Sequence, residues 1–375
     1  MHRDPWHFSR TELANQTLGL LAGGPAQALT LFAPRRTGKT EFLLQDLGPL
    51  AEQQGHRVLY LSFWQAPLAP LAVLLHALET GLKRGSFADR AKAAVIGMAP
   101  TLRLSAPALG AKAEAEIDLT QLSGKPPTDL LLHLDALLDR HTKRRKATFL
   151  LMDEVQELAR DSANHGLVAA LRTGLDRRPN LKVVFTGSSR EGLRALFSAR
   201  EAPFFHFATQ MDFPVLGNEF VDHLLNTFRS VSKRRLERET MRACFYSLHA
   251  SPFLFRRLLE ILLMHPTLPV EEALVQLRER VASELGYPEL WLRLTPLQRA
   301  TARVLAQGET RPFTRQARAA IGRVMGESAP TAARVQTALR TLTNQGVADN
   351  LGAGWCLEDP EFGKWLSNVR AGGTG

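Results

Sequence analysis

The 375 residues, 45% hydrophobic and 22% charged, suit a globular protein of two or three domains. No charge-free run of about 18 apolar residues occurs, no apolar leader follows Met1, and Cys244 and Cys356, the only cysteines, lack metal-ligand spacing, so a membrane span, signal peptide and zinc site are not expected and a cytoplasmic location is. The net charge of +10, from 47 Lys+Arg against 37 Asp+Glu, favours a polyanionic partner, nucleic acid first, unless it reflects an arginine-rich composition alone.

Phe8-Ser9-Arg10-Thr11-Glu12-Leu13 leads into an amphipathic helix to about residue 21, closed by Gly23-Gly24-Pro25. A strand-like run, Leu29 to Phe32, precedes Ala33, Pro34, Arg35, Arg36, Thr37, Gly38, Lys39 and Thr40, and a helix-like run over residues 41–47 follows, ending at Gly48-Pro49. This is the spacing and context of a phosphate-binding P-loop: backbone N–H groups and a helix N-terminus face the phosphates, Lys39 adds a mobile positive charge, and the Thr40 hydroxyl is placed for Mg²⁺. Ala33 stands where the first glycine of such loops is expected, so the turn there must tolerate a small side chain.

Residues 56–63 read as a second strand, 70–82 as a leucine-rich helix and 89–98 as another short one. Over residues 100–119 the period falls to two, which reads as an inserted β-hairpin or as an Ala-rich loop. After the break at Ser123-Gly124-Lys125-Pro126-Pro127, residues 129–145 form an amphipathic helix whose basic end suits a helix C-terminus.

The apolar run Thr148 to Met152 ends in Asp153-Glu154, the pattern of a buried parallel strand with two carboxylates at its ligand-facing end. With a P-loop in the same chain, Asp153 is expected to hold Mg²⁺ together with Thr40, and Glu154 to activate or orient a water molecule; alone, the pair could be the acidic first turn of a helix. A helix to about residue 178, a strand over 181–185 and then Thr186-Gly187-Ser188-Ser189-Arg190 complete an α/β core of mainly parallel sheet over residues 1–216.

Strand signals stop after residue 217. Helices are expected at 219–230, 237–248, 252–264 and 270–285, making a helical lid over residues 217–286. Residues 287–375 read as three helices followed by a two-stranded wing, with an arginine excess including Arg334 and Arg340 on the third helix. A winged helix of this kind places a helix in the DNA major groove or contacts protein.

In this order the motifs resemble the AAA+ class of P-loop ATPases, and within it the archaeal-type ATPases related to the STAND NTPases and the origin-recognition ATPases. Phe8 to Leu13 is similar to that family's short motif ahead of the P-loop, Ala33 to Thr40 to its Gly-Pro-Arg-Arg-x-Gly-Lys-Thr, and Asp153-Glu154-Val155-Gln156-Glu157-Leu158 to its Asp-Glu-Ile-Gln-Glu-Leu. Thr186-Gly187-Ser188-Ser189 resembles its sensor-1 strand end, and Asp359-Pro360-Glu361-Phe362 with Trp365-Leu366 its winged-helix ending.

The resemblance implies an α/β P-loop NTPase core of AAA+ type, a helical lid and a winged-helix domain, with ATP and Mg²⁺ as cofactors. It implies ATP hydrolysis coupled to DNA engagement or assembly, Arg10 near the nucleotide, and Ser188 or Thr186 sensing the γ-phosphate. It also implies a homo-oligomer in which a neighbour's arginine completes the site. Two segments depart from the pattern. Phe204-Phe205-His206-Phe207 replaces the family's Gly-Arg, leaving Arg190, Arg194 and Arg200 as alternatives for the arginine finger. His249-Ala250-Ser251-Pro252 keeps only part of the lid motif, and Arg256 and Arg257 beyond it are either sensor-2 residues or partners of Glu260. A slow-turnover, STAND-like signalling switch whose winged helix contacts a protein partner is the alternative function.

Overall fold

The computed structural model describes residues 4–82, 85–89, 127–143, 145–188, 190–198, 200, 202–350 and 354–368. The segment expected as a hairpin, 100–119, lies outside the described residues, as does most of the short helix expected at 89–98. The chain forms two compact units: one holds residues 9–33 and 38–213, the other 1–8, 34–37 and 214–375.

The first unit is built on strands β1 (Ala28–Phe32), β2 (Arg57–Ser62), β3 (Thr148–Asp153), β4 (Leu181–Gly187) and β5 (Thr209–Asp212), in the order β2-β3-β4-β1-β5 with every pairing parallel. The inner strands β1, β3 and β4 are mostly apolar because both sheet faces are covered. Leu59, Leu61, Leu150, Met152, Val183 and Phe185 point into one core, and Leu29, Leu31, Val58, Tyr60, Phe149, Leu151 and Val184 into the other. Side-chain alternation along each strand divides the residues in this way. β5 gives little signal in the sequence. Its Thr209-Gln210-Met211-Asp212 is mostly exposed and lies at the sheet edge, where backbone pairing with β1 rather than side-chain burial holds it.

The helix after the loop does not stop at Gly48-Pro49. Lys39–Glu41 runs into wide π-type turns over Phe42–Leu47 and then into Gly48–Gln53. Pro49 sits in the first turn of that last segment, where a missing N–H is tolerated. Gly48 is required by packing, since a Cβ there would collide with the ring of Phe87.

β4 lies between β1 and β3, in register Phe32↔Gly187 and Met152↔Phe185, while Ser62 of β2 pairs with Asp153. The carboxyl ends of four neighbouring strands are thereby aligned, which brings together polar side chains more than a hundred residues apart in sequence.

In the second unit helices Asn218–Ser232, Arg238–Ser247, Pro252–Met264 and Val270–Glu284 are followed by Tyr287–Arg293, Pro296–Ala306, Arg315–Met325 and Ala332–Asn344. A two-stranded antiparallel sheet, β6 (Ala348–Asn350) with β7 (Trp355–Leu357), and helix Pro360–Asn368 complete it. Thr295 and Gln298 form a reciprocal cap at the start of Pro296–Ala306, and Thr314 and Thr331 cap the next two helices. A single hydrophobic cluster runs from Phe220 through Phe255 and Tyr287 to Phe362, so the core is continuous across residue 286. Tyr287 and Trp365 pack on Phe362 at ring distances of 5.1 and 5.7 Å, giving the aromatic residues of the C-terminal motif a structural role.

Leu150 is fully buried at the centre of the parallel sheet. Leu150→Ala is expected to destabilise the chain by about 2–5 kcal/mol, since the cavity cannot collapse between two packed faces. Urea denaturation monitored by circular dichroism measures this directly.

Candidate functional site

The site of the first unit begins with the loop after β1. Its left-handed positions are Arg36 (φ 65°) and Gly38 (φ 93°). Ala33 is not among the residues of positive φ, and its side chain is buried, so the missing first glycine needs no left-handed backbone. Thr37 Oγ1 donates to Pro34 O at 2.8 Å and closes the crown of the loop. Lys39 is buried, and its Nζ donates to Ala33 O at 2.7 Å across the loop's base. Arg35 and Arg36 belong to the second unit with the rest of 34–37. There Arg35 Nε lies 3.3 Å from Glu358 Oε1, and Arg36 Nη1 lies 3.3 Å from Asp359 Oδ2. With their side chains paired to carboxylates, what these two residues can offer a phosphate is backbone N–H.

Asp153, at the end of β3, is buried, and both of its oxygens are engaged. Oδ2 accepts from Thr40 Oγ1 at 2.6 Å and from the Tyr60 hydroxyl at 3.1 Å. Oδ1 accepts from the Thr186 hydroxyl and from the backbone N–H of Glu154 at 3.1 Å. The first turn of the helix after the loop, β2 and β4 thus each send a hydroxyl to one carboxylate on β3. Burial, reinforced by Asp153, pushes the Tyr60 phenol well above its usual pKa and keeps it a donor. Thr186, expected as an alternative phosphate sensor, is placed beneath Asp153.

Glu154 stands in the left-handed region (φ 54°), where the strand breaks into the short 3₁₀ helix Val155–Ala159. Its Oε2 accepts from Ser188 Oγ at 2.9 Å and from Gln156 Nε2. Gln156 also reaches Ser188 at 3.3 Å. Gly187 and Gly192 make room for it: a Cβ on either would approach the Gln156 side chain to 2.5 Å. Gln156 and Tyr60 are site residues that reading the sequence for chemistry missed. Gln156 was visible as part of the Asp-Glu-x-Gln-Glu-Leu resemblance; Tyr60 had no signal beyond a strand position. Glu157 of the same segment is buried and accepts from the exposed Trp64 at 2.9 Å, and Leu158 is core.

Arg10 lies 4.2 Å over the Phe213 ring, and its backbone N–H donates to Asp46, whose other oxygen accepts from Ser9 Oγ at 2.6 Å. Burial lowers the Arg10 guanidinium to about 10, partly offset by Asp46. Arg194 and Arg200 are exposed, and the side chain of Arg190 is not described. In the second unit Arg256 pairs with Asp4 at 3.1 Å and Arg257 with Glu284, and Glu260 adds to the electrostatic stabilisation of Arg257.

The residues fit a magnesium nucleotide. A threonine hydroxyl and one buried carboxylate are the oxygen donors that Mg²⁺ takes from a protein when phosphates and water complete its shell. No group of three or more His, Cys, Asp or Glu that could hold a metal occurs among the described residues, and no helix there is long and apolar enough to cross a membrane.

A five-stranded parallel sheet in which β4 separates the loop strand from the Asp-Glu strand, followed by a helical region, is the AAA+ type of P-loop NTPase fold. Solved structures agree. A Walker-type ATPase of Pyrococcus abyssi is similar at a TM-score of 0.65 and 15% identity, covering 97% of this chain and 100% of that one. The ORC2 protein of Aeropyrum pernix in its ADP form is similar at a TM-score of 0.53 and 14% identity, covering 96% and 92%. The ORC1 protein of Aeropyrum pernix in complex with DNA is similar at 0.50 and 14%, covering 98% and 97%. No protein-family model and no curated protein matches the chain.

Thr186→Val keeps the shape of the side chain but leaves Asp153 Oδ1 without its hydroxyl donor. A loss of about 1–3 kcal/mol is expected in urea denaturation without nucleotide. Thr186→Ser should recover most of it, because the donor returns.

Proposed function

We propose that this chain is a Mg²⁺-dependent ATPase that couples its nucleotide state to DNA engagement or to assembly of a homo-oligomer. The observation that carries the reading is the 2.6 Å hydrogen bond from Thr40 to Asp153, which unites the loop threonine with the strand carboxylate across 113 residues. Lys39 and the amides of Arg36, Thr37 and Gly38 would hold the β- and γ-phosphates, and Thr40 and Asp153 would hold Mg²⁺. When bound, the ion supplies positive charge to the terminal phosphates. Thr186 and Tyr60 keep Asp153 in position. Glu154 takes a proton from water, and Ser188 connects it to the γ-phosphate side of the site. Arg10, beside Asp46, would border the nucleotide at the start of the following helix. The ADP form of the ORC2 neighbour supports nucleotide binding.

The clasp on Glu154 favours a second reading. A carboxylate held by Ser188 and Gln156 must be released before it can serve as a base, and a site that waits for release turns over slowly, as a signalling switch does. In that reading the C-terminal module meets a protein partner.

For DNA, the module of Pro296–Ala306, Arg315–Met325, Ala332–Asn344 and the β6–β7 wing is read as a winged helix. Several of its arginines are committed elsewhere. Arg299 donates to Trp291 O and Leu292 O, Arg303 lies 5.0 Å from the Trp291 ring, and Arg318 donates to Phe313 O and Pro330 O. Arg311, Arg315, Arg323, Arg334 and Arg340 remain exposed, the last two on the third helix. The ORC1 neighbour, solved with DNA, supports this reading.

Lys39→Ala should abolish ATP binding in calorimetry while the fold persists. Glu154→Gln should keep binding and lose at least about a hundredfold in turnover, as expected for a lost general base. Near-normal ATP affinity in the first variant, or near-normal turnover in the second, would overturn the assignment.

Arg334→Gln with Arg340→Gln should weaken duplex DNA binding by the whole chain. The slope of log K against log salt should become shallower by about 0.9 for each phosphate that is no longer neutralised. An unchanged slope and affinity would instead favour the protein-contact reading.

A further inference from the structure

The second unit carries a basic cleft far in sequence from the three-helix module. It has a volume of about 490 Å³ and is lined by Asn226, Arg229, Ser230, Lys233 and Arg235, at the end of helix Asn218–Ser232 and the turn beyond it. All five residues are exposed, and no acid is among them.

The acids nearest in sequence are already used. Asp222 pairs with Arg242 at 2.7 Å and with Arg238 at 3.7 Å. Glu239 also pairs with Arg242, at 2.7 Å. Glu237 caps the next helix, accepting from the backbone N–H groups of Glu239 and Thr240. Lys233, at φ 60° where the helix ends, donates to Ser230 O at 3.0 Å, so the helix's last carbonyls account for part of its placement. They leave the guanidinium groups of Arg229 and Arg235 with no carboxylate among the described residues. Three like charges converging on one concavity repel one another unless an anion sits there. Two guanidinium groups, an ammonium, an amide and a hydroxyl are donors suited to phosphate oxygens.

We propose that this cleft binds backbone phosphates of duplex DNA, as a second surface separate from the third helix of the C-terminal module. The inference rests on the DNA-binding reading above and adds a surface to it. Arg229 lies before the helix end and Lys233 and Arg235 beyond it, so the charges extend along the chain, which favours a strand of successive phosphates over a single small anion; Arg234, whose guanidinium donates to Leu268 O at 2.9 Å, is not part of this row.

The test uses the whole chain and a short duplex, titrated at several salt concentrations. The triple variant R229Q/K233Q/R235Q is compared with K143Q/R145Q/R177Q, which removes equal charge from exposed positions of the other unit. The cleft variant should bind about tenfold or more weakly at moderate salt, with a salt slope smaller in magnitude by about 2–3, while the control changes little. Equal effects in both variants, or none in either, would overturn the proposal. If the unaltered chain fails to bind duplex DNA even at low salt, the DNA reading falls and takes the cleft with it. If R334Q/R340Q weakens binding and the cleft variant does not, only the cleft assignment falls. If DNA affinity holds but inorganic pyrophosphate raises the Tm of the wild type more than that of the cleft variant, the cleft takes a free anion and its assignment to DNA is wrong. Because all three cleft side chains are exposed, the variant should keep the wild-type Tm without ligand, which separates weakened binding from a damaged fold.

Discussion

The buried carboxylate of Asp153 is the constraint on which the first unit depends. A carboxylate removed from water costs several kcal/mol unless donors replace its hydration. Here four donors do so: the hydroxyls of Thr40, Tyr60 and Thr186 and the N–H of Glu154. Each hydroxyl comes from a different element: the parallel register of β2, β3 and β4 delivers Tyr60 and Thr186, and the helix Lys39–Glu41 delivers Thr40. The sheet order and the polar network are therefore a single arrangement. A shift of one residue in any of these strands would turn its side chains to the opposite face and leave Asp153 short of a donor.

Glu154 obeys a related logic one residue later. Its left-handed backbone ends the strand and turns the side chain toward Ser188 and Gln156, away from the hydroxyl cluster around Asp153. Two adjacent carboxylates thus acquire different surroundings, one saturated and buried, the other held by two side chains that can let go. Gly187 and Gly192 belong to this arrangement, since their missing Cβ atoms leave the space that Gln156 fills.

In the second unit the charges are divided between structure and surface. Cations such as Arg242, Arg257, Arg299 and Arg318 bind carboxylates or backbone carbonyls inside their own unit. Among those that remain exposed are Arg334 and Arg340 on the helix Ala332–Asn344 and Arg229, Lys233 and Arg235 around the end of Asn218–Ser232. The net charge of +10 belongs to the whole chain and counts paired and exposed cations alike, whereas the exposed ones are those a polyanion can reach.

The sequence by itself determined the elements whose signal is local. Apolar runs marked the inner strands because both sheet faces are buried, periodicity marked the helices of the second unit, and the spacing of Gly38-Lys39-Thr40 with Asp153-Glu154 marked the candidate site. Tertiary structure decided what depends on partners distant in the chain. Tyr60 and Thr186 came to donate hydrogen bonds to Asp153, and Gln156 to Glu154. Arg256 came to pair with Asp4 and Arg257 with Glu284. β5 was hidden because an edge strand is held by backbone pairing that leaves no side-chain pattern. The helix passed Gly48-Pro49 because Pro49 falls in the first turn of the segment that follows the π-type turns, where its missing N–H is tolerated. A side chain's type shows what it can bind; which group it meets is decided by sheet register and packing.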